Sequence, residues 1–178
     1  MMQMLRAGGL SVLTDSQRTA DDDNPRGYFE FEAVKATKQD SSWLDQARGK
    51  VVKMVHLLLP DLPPGREYQI VMMHRDIAEV LASQRKMLER NGKRGASLPD
   101  AQMAALYNRQ MKNVLERTRS QPNIRLVEVP YRDVIFAPAQ IARLLSEFLG
   151  GDLNEAAMSE AVDPSLYRNR DTSRQAAD

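Results

Sequence analysis

Tyr68-Gln69-Ile70-Val71-Met72-Met73-His74-Arg75-Asp76-Ile77-Ala78-Glu79-Val80-Leu81-Ala82-Ser83 is a strand that runs directly into a capped helix. Residues 68–73 are nearly continuous in their hydrophobicity and follow Gly65, as expected of a strand covered on both faces. From Ile77 the period changes: Ile77, Val80, Leu81, Met87 and Leu88 fall on one helical stripe. Asp76 is placed to cap that helix, Glu79 three residues on to close a capping box, and Asn91-Gly92 to stop it. Arg75 thus sits at the carboxyl end of a strand, where ligands bind in open α/β sheets.

Similar runs lie on either side. Leu10 to Thr14, Lys50 to Val55 and Ile124 to Val129 read as three further strands. Helical patterns run from about Pro99 to Arg119, with Met103, Leu106, Val114 and Leu115 inward, and from Pro138 to Gly150, burying Ile141, Leu144, Leu145, Phe148 and Leu149. Strands alternating with helices predict an α/β fold, a parallel sheet with helices on both faces. Residues 1–170 would form one domain, residues 171–178 a polar tail. Trp43 would anchor a helix against the core.

Composition narrows the function. A chain of 178 residues, 42% hydrophobic, can bury one substantial core. Twenty-five basic against 24 acidic residues give a formal charge of +1, no global field for nucleic acid or an anionic membrane. With no cysteine and only His56 and His74, disulfides, thiolate chemistry and a histidine-built metal centre are not expected. The longest apolar run, Val51 to Leu59, is broken by Lys53 and His56 and too short to span a bilayer. Residues 1–13 lack the form of a signal peptide, so the expectation is a cytoplasmic protein.

Arg75 and Ser83 are the residues whose chemistry stands out. A guanidinium at the strand's end and a hydroxyl two helical turns beyond the cap can share one phosphate, through a fork of donors and one further hydrogen bond. The competing reading pairs Arg75 with a nearby carboxylate and leaves Ser83 as an ordinary helix residue.

This arrangement resembles the one by which sulfotransferases hold the 3′-phosphate of 3′-phosphoadenosine 5′-phosphosulfate. Asn24-Pro25-Arg26-Gly27-Tyr28-Phe29-Glu30 is similar to the family's segment after its second strand. Lys50 to His56 with Leu57 to Pro60 resembles its third strand and turn. Val129-Pro130-Tyr131-Arg132-Asp133 and the helix ending in Phe148-Leu149-Gly150 resemble its late strand and helix. The resemblance covers most of residues 8 to 170. It implies a P-loop type α/β fold and metal-free sulfuryl transfer from that nucleotide to a hydroxyl or amine on a small molecule or glycan. By the same resemblance Arg75 and Ser83 hold the 3′-phosphate, and Arg168 and Arg170 resemble a late basic loop that closes over the nucleotide. Lys53, two residues from Val55 on the same strand, approaches the sulfonate if that strand places it at the sheet's edge; the competing reading is a strand-end lysine that snorkels. For the base, some members use a histidine near the third strand's end, which nominates His56. Others use a glutamate after the second strand, which nominates Glu30 or Glu32.

One part of the pattern is missing. The family's Gly-rich loop cradles the 5′-phosphosulfate at a helix N-terminus. Gly8-Gly9 lacks the following lysine and hydroxyl, and Gly92-Lys93-Arg94-Gly95 follows a helix. Residues 1–7 resemble the helix after that loop, and the expectation is a chain truncated upstream, lacking the first strand. An alternative is a non-catalytic, degenerate member acting as a nucleotide-binding or interaction module. A P-loop kinase is disfavoured, because no Mg²⁺-binding acidic motif follows an apolar strand.

Overall fold

The computed structural model describes residues 1–167 other than 16, 19, 22, 23, 25, 91 and 93–97. It is a mixed α/β structure with a small parallel sheet. In chain order its regular elements are α1 (Met2–Ala7), α2 (Leu44–Ala47), β1 (Tyr68–His74), α3 (Ile77–Arg90), α4 (Asp100–Arg119), β2 (Ile124–Pro130), α5 (Tyr131–Phe136), α6 (Pro138–Leu149) and α7 (Glu155–Glu160). Short 3-10 helices at Glu32–Ala36, His56–Asp61 and Pro164–Leu166 join them. No helix among the described residues is long and apolar enough to cross a membrane.

β1 pairs with β2 in parallel, from Tyr68 opposite Ile124 to His74 opposite Pro130. Such a pair needs a long crossover, supplied here by α3 and α4. Leu10–Thr14 and Lys50–Val55, both expected to be strands, form only one parallel bridge, between Val12 and Val51. Two backbone bonds hold it, Leu13 N to Val51 O at 2.9 Å and Val51 N to Ser11 O at 2.8 Å. No backbone hydrogen bond joins residues 50–55 to β1. Neither segment propagates a full ladder.

The four segments nonetheless share one alternation. Leu13, Val52, Met54, Ile70, Met72 and Leu126 contribute to an apolar cluster with Trp43, Leu44, Met111, Val114 and Leu115. Leu10, Val51, Val71, Met73, Val127 and Val129 enter a second one, with Met4, Leu5, Ile141, Leu145 and Met158. Successive strand residues point to opposite sides, so a run apolar at both parities feeds two cores at once.

The helices keep their expected bounds within a residue or two, but two inward assignments fail. Leu106 is 47% exposed and Leu144 39%. On α4 the buried residues are Met111, Val114, Leu115 and Thr118, so its core contact lies in the carboxyl-terminal half. On α6 they are Ile141, Ala142, Leu145 and Ser146, a stripe one position off Leu144. Trp43 is buried as expected, its Nε1 donating to Thr37 Oγ1 at 3.3 Å.

Candidate functional site

Two groups of polar residues gather at strand ends. The first surrounds Arg75, immediately after β1. Asp76 caps α3 as its sequence predicts, Oδ1 accepting from Ala78 N at 2.8 Å. Glu79, one turn further, is buried, and its carboxylate reaches in two directions. Oε2 accepts from Arg75 Nε at 3.1 Å, and Oε1 accepts from the hydroxyl of Tyr167. The Arg75 guanidinium carbon lies 4.8 Å from the Tyr131 ring centroid and 5.8 Å from that of Tyr167. Arg75 therefore has a charged partner and two aromatic neighbours, which restrict a side chain otherwise free to explore many rotamers. It lines an open cavity of about 620 Å³ with His74, Tyr131, Arg132 and Phe136. Ser83 is half-buried on α3, one turn beyond Glu79 on the same face.

His74 closes β1 as expected. Its Nε2 lies 2.6 Å from Glu128 Oε2 on β2, and Arg119 also meets Glu128. Burial and, after it, the Arg119 charge lower the His74 pKa, favouring the neutral imidazole.

The second group lies beyond the Val12–Val51 bridge. Gly27 at φ 85° and Phe29 at φ 53° both adopt the left-handed region, turning the chain just before Glu30. Thr14 Oγ1 and Asp15 N donate to the Glu30 carbonyl at 2.8 and 3.3 Å. Glu30 Oε1 stands 3.6 Å from Lys53 Nζ and 3.5 Å from Arg18 Nη1. Lys53 also donates to the Tyr28 carbonyl at 3.0 Å. Two of the residues nominated for chemistry, Glu30 and Lys53, are thus brought together, the lysine side chain 42% exposed.

The other nominees make different contacts. His56 opens a 3-10 helix and packs edge-on against Tyr107 of α4, ring centroids 5.5 Å apart. Burial lowers its pKa, partly offset by a hydrogen bond with Gln110. Glu32 is exposed and pairs with Lys35 at 2.6 Å. Arg168 and Arg170 lie outside the described residues. Gly8-Gly9 follows α1 rather than opening a helix, and Gly8 packs against Met158.

The competing reading of the sequence, a nearby carboxylate as the partner of Arg75, is met by Glu79, though the sequence did not single that residue out; Tyr131 and Tyr167 were missed. Tyr131 carried a signal, since it directly follows the strand paired with β1, at the same carboxyl edge as Arg75. Tyr167 carried none, being 88 residues from Glu79.

The two groups are tied together by Arg26. Its guanidinium contacts Asp163 Oδ2 at 2.7 Å and the Ala161 carbonyl at 3.1 Å. Asp163 caps the Pro164–Leu166 turn that delivers Tyr167 to Glu79. The segment preceding Glu30 is in this way bonded to the one that reaches Arg75.

Comparison with known proteins found no match among curated proteins and none among solved structures. Residues 19–155 match the family model described as the Sulfotransferase family, a span that contains β1, Arg75, Ser83, Glu30, Lys53 and β2, and the chain belongs to that family.

Proposed function

We propose that this protein binds 3′-phosphoadenosine 5′-phosphosulfate through Arg75 and Ser83 and that its chemistry is transfer of the sulfuryl group to a hydroxyl or amine of a small molecule or glycan. The observation that carries this reading is Arg75 itself. It stands at the carboxyl end of a parallel strand, fixed by buried Glu79 beside two tyrosine rings, and lines an open cavity. A guanidinium so restrained suits a phosphate, since less side-chain freedom is lost on binding. The strand alternation between two apolar clusters supports a three-layer sheet of the P-loop type.

Glu30 and Lys53 are the pair we assign to the transfer. As the acceptor oxygen bonds to sulfur and the bond from sulfur to the 5′-phosphate oxygen breaks, releasing 3′-phosphoadenosine 5′-phosphate, the Glu30 carboxylate would accept the acceptor's proton and Lys53 would stabilise charge on the sulfonate oxygens. Their separation of 3.6 Å would let an acceptor hydroxyl at Glu30 meet a sulfonate at Lys53.

Calorimetric titration with 3′-phosphoadenosine 5′-phosphate tests the reading. Binding by the protein, abolished in Arg75→Ala and weakened in Arg75→Lys, is the expected result. Arg75→Lys keeps a cation against Glu79, so loss of its two-pronged contact can be separated from loss of the fold. Unchanged binding in both folded variants overturns the assignment. A second reading, nucleotide binding without transfer, is favoured by Gly8-Gly9, which ends a helix instead of opening one. Tight binding with no turnover on any hydroxyl or amine acceptor would select it.

A further inference from the structure

We propose that Tyr167 is a positioning residue for Arg75, acting through Glu79 to set the guanidinium for a phosphate; this rests on the reading of Arg75 given above. The argument begins with the Glu79 carboxylate, which is shared. One oxygen accepts from Arg75 Nε and the other from the Tyr167 hydroxyl. Both Glu79 and Tyr167 are 5% exposed, whereas the Arg75 side chain is 27% exposed. The buried pair thus forms a base from which the arginine reaches the cavity.

A carboxylate taken from water needs its oxygens satisfied; Arg75 Nε donates to Oε2 and the Tyr167 hydroxyl to Oε1. Loss of the phenol removes one restraint on the carboxylate's last torsion and, through it, on the guanidinium. Tyr167 restrains this motion a second way. Its ring is 5.8 Å from the Arg75 guanidinium carbon and meets Tyr131 edge-on, centroids 5.6 Å apart. The arginine is therefore bounded by two rings that brace each other. Burial, together with the Glu79 hydrogen bond, raises the Tyr167 pKa, so the hydroxyl remains protonated and able to donate at neutral pH.

Tyr167 is itself fixed. Its backbone N donates to the Pro164 carbonyl at 3.1 Å, and Asp163 caps the turn through Ser165 N at 3.0 Å. A residue brought to Glu79 from 88 positions away, bonding the carboxylate that holds an arginine, is placed to influence that arginine's aim.

The test compares two nucleotides, 3′-phosphoadenosine 5′-phosphate and adenosine 5′-monophosphate, which lacks the 3′-phosphate. The unsubstituted protein should prefer the first. Tyr167→Phe keeps the ring and removes the hydroxyl; it should reduce that preference roughly tenfold while leaving affinity for the monophosphate unchanged. In the Arg75→Ala background the same substitution should add nothing. A merely structural role would weaken both nucleotides alike, and that result, or a preference surviving intact, overturns the proposal. If the unsubstituted protein shows no preference, the phosphate reading of Arg75 fails and takes this one with it. Should Tyr167→Phe not fold, Glu79→Gln serves instead, with loss of preference expected and its retention decisive against the idea.

Discussion

Gly8 shows how much a single position can depend on its neighbours. A Cβ built there would lie 2.7 Å from Met158 Cγ and 2.8 Å from Sδ. Its φ of −69° is ordinary, so the requirement for glycine is one of space and not of backbone conformation. Met158 is fully buried and has nowhere to retreat. Gly8→Ala should therefore cost about 1–3 kcal/mol, the range for overpacking a filled core, read as a lowered urea midpoint at unchanged slope. No change would mean that α1 and α7 slide apart at little cost. In the sequence Gly8-Gly9 drew attention only as a loop that failed the phosphate-binding pattern. Arg75 and Asp76, by contrast, could be read from local order: strand, arginine, cap, helix. Glu79 fitted a capping box equally well, and only the arrival of Tyr167 reveals its second role.

At the scale of elements, an exposed ion pair and a cap help to hold the segment that presents Tyr167. The Arg26 and Asp163 side chains are 41% and 31% exposed, and such pairs contribute at most about 1 kcal/mol. Arg26→Ala should leave global stability nearly unchanged and yet increase hydrogen exchange at the backbone amides of Ser165 and Tyr167, because a local opening needs less free energy than global unfolding. Equal protection in the variant would show that the turn is held by its own cap. Asp163 is kept below its ordinary pKa, first by Ser165 and then by Arg26. Its contribution is accordingly present above the usual 3.8 and lost as pH falls through the depressed value.

The longer helices were legible at this scale because a 3.6-residue period and turn signals are local. Which residues of the stripe reach the core was less so. Leu106 and Leu144 belong to the apolar pattern, but the buried surface on α4 lies in its later turns and that on α6 is rotated by one residue.

For the molecule as a whole, acidity offers a direct check. The chain has two histidines, and burial lowers the pKa of both below 6.5. Between the folded values and 6.5 the unfolded chain binds more protons, so stability falls as pH drops through that window. The melting temperature should be lower at about pH 5.5 than at about pH 7.5, and His56→Gln with His74→Gln should flatten the difference. An equal loss in the double variant would assign the effect to carboxylates, yet Asp15, Asp40 and Asp163 are all held below 3.8 and titrate in stronger acid.

The sequence by itself determined the strand-to-helix unit from Tyr68 to Arg90, the bounds of α4 and α6, the parallel character of the sheet and the family. Each of these rests on local periodicity, on capping chemistry or on motif order, which need no knowledge of distant contacts. Only the tertiary structure decided that Leu10–Thr14 and Lys50–Val55 meet in a single bridge, since pairing depends on what lies beside a strand and not on its own hydrophobicity. It also decided that Glu30 faces Lys53 and that Arg75 shares Glu79 with Tyr167. Those contacts join residues 23 and 88 positions apart, and the chain between them must fold before the side chains can meet.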